Sequence, residues 1–304
     1  MDQPLVNDGY NSAPLEPDWP ILFLRSDLAS GHGGSPFVAI VRSRAELSQW
    51  LTNPPASLQW IQVEELLGDQ DAWIPAAQST SNVPLDVLIT DPGSQFSDLY
   101  RLVDVFAVRD VRVSMPASPG FLRAVKVAIA LRLPVRLLPG QPSPEVLIEL
   151  TEAVTFYLRD PMVEAPVEFF HSVLAAMCGT GDGSLWMILE EDPALFLRRG
   201  VGVGFELPGG FSSPSSDLSS TTFVEAWFRR LLEQDAECVT CPFQEICQGY
   251  FKWPDPAYDC GGVKQLFFAI KAAADEMGHE LANRDRADQT EELAKVGPLA
   301  SPVE

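Results

Sequence analysis

Apolar residues in the first part of this chain occur in short runs separated by amphipathic stretches. The runs at 20–28 and 37–43 have the composition of strands. Residues 58–66 alternate apolar with polar side chains, as a half-buried strand does. Residues 44–51 have the spacing of a short helix. This pattern predicts a mixed α/β structure.

The alternation becomes regular between residues 87 and 160. The pattern predicts strands and helices in turn, at 87–90 (strand), 96–108 (helix), 111–116 (strand), 120–133 (helix), 134–140 (strand) and 143–160 (helix). Such repetition is typical of parallel βαβ units, whose right-handed crossovers place the helices on one face of the sheet. The units are too few for an eight-fold barrel. The predicted fold class is α/β, with a partial or degenerate (β/α) barrel-like body.

The second half of the chain has a different character. Residues 163–200 are predicted to be mostly helical, with a glycine-rich break at 179–183. Two further helices are expected at 221–234 and 262–281, and the segment between them holds four of the five cysteines. We therefore expect a small helical, cysteine-rich C-terminal segment beside the α/β body.

These changes in composition divide the chain into five predicted parts. They are a flexible N-terminal arm at 1–18, an α/β domain with βα repeats at 19–205, a Gly/Ser/Pro-rich linker at 206–221, the cysteine-rich segment at 222–286 and a flexible tail at 287–304.

Charge excludes some classes of partner. The chain has 304 residues, with 42 acidic and 21 basic side chains, and a formal net charge of -21. Nucleic acid and anionic membranes would repel such a chain, so neither is an expected partner. Its first residues lack the basic and apolar regions of a signal peptide, and no apolar run approaches the roughly 18 residues of a membrane span. A cytoplasmic location is expected, where cysteines stay reduced.

The cysteines therefore suggest a metal site. Cys238, Cys241, Cys247 and Cys260 have the spacing C-x2-C-x5-C-x12-C. Structural zinc is usually held by two C-x2-C pairs, and this segment has one. A [4Fe-4S] cluster accepts single thiolates from separate directions, so the spacing favours it. A structural zinc ion and free or disulfide-bonded thiols remain as alternatives.

The residues between the cysteines fit a sheltered site. Gly249 allows close approach of the backbone, and Lys252 is expected to hydrogen-bond near the cluster, to pair with Asp255 or Asp259, or to lie on the surface. An apolar lid over the site is predicted from Phe243, Ile246, Tyr250, Phe251 and Trp253.

The stretch C-x2-CPF-x3-C-x-GYFKWPDPAYDC resembles the C-terminal auxiliary-cluster region, of the SPASM type, of radical SAM peptide-modifying enzymes. Cys238, Cys241 and Cys247 match the family's C-x2-C-x5-C. The family's next cysteine comes three residues later, where this chain has Phe251, and its fourth thiol is Cys260. The βα repeats at 83–160 are similar to part of a radical SAM barrel in architecture alone.

One departure from the family decides what the resemblance implies. Radical SAM enzymes hold their catalytic cluster with C-x3-C-x2-C after the first barrel strand, and the corresponding stretch here, LASGHGGSPF, has no cysteine. The one remaining thiol, Cys178, stands alone. The resemblance therefore implies a non-catalytic subunit that binds one auxiliary 4Fe-4S cluster and has a radical SAM enzyme and a ribosomally made precursor peptide as partners. The alternatives are a stand-alone iron–sulfur electron-transfer protein or oxidoreductase, and a binding module with a structural zinc.

Three other features receive structural interpretations. The acidic triplet Glu190, Glu191 and Asp192 is expected to be a solvated helix end rather than an acid–base pair. His171 has no recognisable catalytic partner and is expected to be structural. Cys178 is expected to be a small buried residue.

Overall fold

The structure is a computed structural model that describes residues 20–181, 183–199, 205–207, 211–213 and 223–295. Its sheet has the strand order β10-β9-β8-β1-β2-β3-β4-β5-β6-β7. The strands from β8 to β7 in that order are parallel, and they curl into a half-barrel. The antiparallel pairs β8–β9 and β9–β10 extend the sheet at one edge.

The strands are β1 Ile21–Arg25, β2 Phe37–Val41, β3 Leu58–Glu64, β4 Leu85–Leu88, β5 Val111–Pro116, β6 Val135–Leu138, β7 Val167–Glu168, β8 Phe196–Arg199, β9 Phe205–Leu207 and β10 Phe211–Ser213. The α-helices are α1 Ser26–Ala29, α2 Arg44–Thr52, α3 Gln70–Gln78, α4 Pro92–Gln95, α5 Val103–Phe106, α6 Phe121–Ala130, α7 Pro144–Arg159, α8 Phe170–Met177, α9 Leu185–Ile188, α10 Phe223–Glu233, α11 Gln244–Cys247 and α12 Gly261–Lys295. Short 3₁₀ helices cover Phe96–Leu102, Glu237–Thr240 and Tyr250–Lys252.

Local sequence accounts for the starts of the best-defined helices. At α2 the Ser43 side chain accepts from the Glu46 backbone N–H, and the Glu46 carboxylate accepts from the Ser43 backbone, which is a capping box. At α7 the Ser143 hydroxyl accepts from the Val146 backbone N–H, and proline occupies the first helical position. These caps satisfy backbone donors that have no partner inside the helix.

The two faces of the sheet differ in chemistry. Alternate strand residues such as Val63, Val87 and Val113 are fully buried and belong to the apolar core shared with the helices. The intervening residues point to the opposite face, and there Gln62, Asp86 and Ser114 are buried although they are polar. The second face of the sheet therefore carries buried polar side chains, which need hydrogen-bond partners there.

The structure confirms the α/β fold class with its partial-barrel body. It also shows elements that the pattern did not predict. Helix α3 was not predicted, and strands β7 and β8 lie in the stretch 163–200 that was predicted to be mostly helical. The predicted helix at 96–108 begins as a 3₁₀ helix. None of the helices in the described part of the chain is long and apolar enough to span a membrane.

The predicted domain limits stay predictions. The N-terminal arm at 1–18 lies outside the described residues, as does much of the linker at 206–221, although β10 falls within that linker. Helix α12 continues to Lys295, so the predicted tail at 287–304 begins inside this helix.

Candidate metal centre

The four predicted ligands lie on separate local elements. Cys238 is in the 3₁₀ turn Glu237–Thr240, and Cys241 follows that turn. Cys247 is the last residue of α11, and Cys260 directly precedes α12. The chain therefore turns between successive thiols and can present each from a different side.

All four thiols line one small cavity of about 20 Å³. They are free thiols; Cys238 and Cys260 are buried, and Cys241 and Cys247 are partly exposed. Five of the other lining residues are apolar, namely Phe228, Phe243, Phe251, Val263 and Phe267. The structure thus brings together the four cysteines that the spacing selected. Metal binding by them stays a prediction.

Within the described residues, no three His, Cys, Asp or Glu side chains are arranged to hold a single metal ion.

Burial raises the pKa of three thiols, those of Cys238, Cys247 and Cys260. It raises the pKa of Cys247 to about 11. Burial, with a further contribution from the Glu237 charge, raises the pKa of Cys260 to about 12. A metal that binds here must displace protons and supply positive charge, as thiolate sites generally require.

A carboxylate joins the two ends of residues 237–260, which we call the cysteine segment. Glu237 Oε1 lies 2.7 Å from Lys252 Nζ and accepts from the Cys260 backbone N–H at 3.0 Å, and Glu237 Oε2 lies 2.5 Å from Lys264 Nζ. Burial alone would raise the pKa of Glu237, but the hydrogen bonds from Lys252 and Lys264 lower it to about 2. Lys252 is therefore a buried residue paired with Glu237, and not a surface lysine or a partner of Asp255 or Asp259.

Gly249 lets the segment pack closely on α10. Its φ is +73°, and a Cβ there would lie 2.5 Å from Leu231 Cδ1. The Gly249 carbonyl accepts from Trp227 Nε1 at 3.1 Å. The close backbone approach predicted for Gly249 is confirmed, because a Cβ here would meet two side chains of α10 and would need a backbone conformation that favours glycine.

The predicted apolar lid is confirmed in part. Phe243 and Phe251 line the cavity, and Phe228 and Phe267 join them from the flanking helices. Trp253 instead packs edge-on against Phe223 and Trp227. Neither Ile246 nor Tyr250 belongs to the wall, and Tyr250 packs against Trp186.

The cysteine segment is anchored at the carboxyl ends of strands β6 and β7. Gln141 Nε2 donates to the carbonyls of Phe251 and Asp255, each at 3.0 Å. Tyr258 Oη donates to the Pro142 carbonyl at 2.7 Å. Phe169, which follows β7, packs its ring against Phe251. These contacts place the cavity beside the end of the half-barrel at which loops follow the strands.

A second group of functional interest lies on the polar face of the sheet. Asp86 Oδ2 accepts from Arg112 at 3.0 Å and from Arg136 at 2.9 Å. Glu190 Oε1 accepts from Arg112 at 2.7 Å, and Glu190 Oε2 also pairs with Arg136. Ser114 donates to Asp86 and accepts from Arg136 Nε. We refer to these five residues as the charged network.

The charged network corrects the interpretation of the acidic triplet. Glu190 is not a solvated helix end, because its carboxylate bridges two arginines inside the fold and its φ is +57°. Burial raises the pKa of Glu191, whose neighbour is Tyr250. The sequence signal was present but unused: Asp86 and Arg136 are polar residues inside otherwise apolar strands, LDVL and VRLL.

Cys178 and His171 both lie on the surface of the protein. Cys178 is exposed after α8, so its predicted burial is wrong. His171 is also exposed, and its Nδ1 lies 3.1 Å from Tyr157 Oη. This contact ties α8 to α7, in keeping with a structural role.

Similarity to known proteins was found in fold and not in sequence. No protein-family model matches this chain, and no curated protein matches its sequence. The solved structure described as native anSMEcpe with bound AdoMet and Cp18Cys peptide is similar, with a TM-score of 0.53 and 10% sequence identity, over 87% of this chain and 99% of the other. At that identity the likeness concerns the fold alone, the α/β half-barrel that the two chains share.

Proposed function

We propose that this chain is an accessory protein that holds one auxiliary 4Fe-4S cluster and works beside a radical SAM enzyme in the maturation of a ribosomally synthesised peptide. The observation that carries the proposal is the single cavity lined by Cys238, Cys241, Cys247 and Cys260. The likeness in fold to a structure with bound AdoMet and peptide supports a role related to peptide maturation.

The donor set fits such a cluster. Four thiols, several apolar side chains and two lysines in the wall provide ligands, shelter from water and compensating charge. When bound through four protein thiolates, a cluster has no iron left open for substrate, so it supplies electron transfer or structural support. The chemistry that modifies the peptide then belongs to the partner.

The sequence between β1 and β2 supports the proposal that a separate radical SAM enzyme performs the catalysis. Residues 26–36 connect β1 to β2 and contain no cysteine, and the thiol outside the C-terminal segment, Cys178, lies after α8. This chain therefore has no thiols at the position where radical SAM enzymes hold their catalytic cluster.

Metal analysis of anaerobically purified protein tests the cluster. We expect about four irons and about four sulfides per wild-type chain, as a cluster of this type requires. Cys247→Ala should lose most of the iron. Cys178→Ala is the matched control and should keep it, because Cys178 is exposed and does not line the cavity. A colourless wild-type protein with one zinc per chain would refute the proposal.

Capture of partners tests the accessory role. A tagged wild-type chain, used anaerobically in lysate of its native host, should recover a radical SAM enzyme. Adding the purified chain to that enzyme should then increase modification of the precursor peptide, measured by mass spectrometry. If the enzyme modifies the peptide equally well without this chain, the accessory role is wrong even where the cluster is present.

A further inference from the structure

The cavity wall has an excess of positive charge. Among the described residues that line it, the charged side chains are Glu237, Lys252 and Lys264. One carboxylate is thus shared by two ammonium groups, at 2.7 Å and 2.5 Å. We call these three residues the charge triad.

Lys252 is the unusual member of the triad. It is 5% exposed, and lysine is almost never fully buried unless it is paired. Its Nζ donates to the Tyr258 carbonyl as well as to Glu237. Both partners lie in the cysteine segment, so the fold holds this ammonium group at the wall of the thiol-lined cavity rather than in solvent.

Lys264 reaches the same carboxylate from a different element. It lies in the first turns of α12, and its side chain is 26% exposed. The triad therefore carries two positive charges and one negative charge beside four thiols. Four thiolates in a poorly hydrated site need such compensation, since isolated buried charges are costly.

We propose that the charge triad sets the reduction potential of the thiol-lined site, with Lys252 and Lys264 favouring the reduced form and Glu237 opposing it. The inference rests on the proposed function, because it requires a bound iron–sulfur cluster. One-electron reduction adds a negative charge to the site without making or breaking a covalent bond. A nearby positive charge stabilises that added charge, and the net charge around a cluster is among the determinants of its potential.

Lys264→Met and Lys271→Met form a matched pair for the test. Both replace a lysine of α12 by an apolar side chain of similar length, but Lys271 pairs with Asp275 in solvent and does not line the cavity. We expect Lys264→Met to lower the midpoint potential, measured by dithionite titration with EPR detection on anaerobically reconstituted protein. Lys271→Met should keep the wild-type potential.

Glu237→Gln provides the opposite sign. It removes the negative charge and keeps an oxygen acceptor for the Cys260 backbone N–H, so we expect the midpoint potential to rise. Lys252→Met should lower the potential as Lys264→Met does. Since Lys252 is buried and its loss could unfold the segment, iron content and thermal melting are measured for each variant, and Lys264→Met decides the result where Lys252→Met is unstable.

The outcomes separate this inference from the proposed function. A wild-type chain that binds no iron overturns the proposed function. A fully loaded wild type whose potential is unchanged in Lys264→Met and Glu237→Gln overturns the charge triad alone. Shifts of the same sign in these two variants would also overturn it, since charge compensation requires opposite shifts.

Discussion

At the scale of single residues, the clearest consequence of the structure is the dependence of the charged network on Asp86. This carboxylate is 1% exposed and accepts hydrogen bonds from Arg112, Arg136 and Ser114. Asp86→Asn keeps the shape and removes the charge, leaving two arginines undercompensated. Breaking a buried pair costs about 3–5 kcal/mol, and we expect a loss of that order in the free energy of unfolding, measured by urea denaturation at neutral pH.

Asp71 provides the matched control for Asp86. It also pairs with an arginine, Arg44, at 2.8 Å, but its side chain is 66% exposed. Exposed pairs contribute about 0–1 kcal/mol, so Asp71→Asn should change the free energy of unfolding by no more than that. Equal losses of unfolding free energy in the two variants would show that burial does not determine how much the charged network contributes to stability.

The same carboxylate predicts a dependence of stability on pH. Burial would raise the pKa of Asp86, but Arg112 and Arg136 outweigh that effect and hold the pKa below its ordinary value of 3.8. A carboxyl group with a lowered pKa in the folded state stabilises the protein above its unfolded-state pKa, and this contribution is lost as the pH falls through the folded-state value. The difference in unfolding free energy between wild type and Asp86→Asn should therefore be constant above about pH 5 and shrink below about pH 4. A difference that stays constant on acidification would contradict this assignment.

The residues of the two sites differed in how far sequence could identify them. Cys238, Cys241 and Cys247 are close in sequence and of a rare type, so their spacing alone groups them. Asp86, Arg112 and Arg136 are far apart and of common types, and the register of parallel strands brings them together, with Asp86 opposite Arg112 and Ser114 opposite Arg136. No local pattern contains that register.

At the scale of elements, prediction succeeded where local pattern and tertiary context agree. Strand β5 was predicted with its observed bounds, and α7 begins at the serine cap seen in the sequence. Strand β8 was missed because its sequence, FLRR, has no strand signature of its own, and pairing with β1 decides its conformation. Glu237 and Lys252 were not recognised as a pair because their contact depends on how the cysteine segment folds back on itself.

Gly249 links element packing to the candidate metal centre. Gly249→Ala would place a Cβ against the end of the Leu231 side chain and require a positive φ of alanine, so Leu231 would have to shift and the backbone would be strained. We expect a loss of about 1–3 kcal/mol in the free energy of unfolding, as overpacked sites show, together with reduced iron retention. Chemical denaturation and iron analysis on the same preparation measure both effects.

Gly278 is the control for Gly249. It lies in α12, and a Cβ there would meet no atom within 4 Å. Replacing glycine by alanine inside a helix favours the helix by about 0.5–1 kcal/mol, so Gly278→Ala should stabilise the protein and leave iron content unchanged. Destabilisation by both substitutions would mean that the contact with Leu231 is not what makes Gly249 necessary.

At the scale of the whole molecule, two kinds of structure meet at one end of the half-barrel. The α/β body has a continuous hydrogen-bonded sheet and an apolar core under its helices. Between α10 and α12, residues 234–260 form turns, the four-residue helix α11 and short 3₁₀ stretches. Regular elements of that length are not stable alone, so this segment depends on its anchors to the body and on whatever its thiols hold.

This difference predicts a local response to metal removal. Where binding energy is also folding energy, loss of the metal unfolds the part of the chain that the metal organises. Anaerobic chelation of iron should therefore increase amide hydrogen exchange in residues 234–260, while strands β2 to β5 keep their protection. Hydrogen exchange with mass spectrometry resolves the two regions.

The variant Cys247→Ala separates loss of the metal from an effect of the chelator, because it should exchange like chelated wild type without treatment. Equal loss of protection in the sheet and in residues 234–260 would show that the chain unfolds as one unit. The contacts of Gln141, Tyr258 and Phe169 would then couple the two parts more strongly than their number suggests. Retained protection in both regions would instead mean that the packing of Phe251, Phe267 and Gly249 holds the cavity open without metal, so that the thiols form a preorganised site.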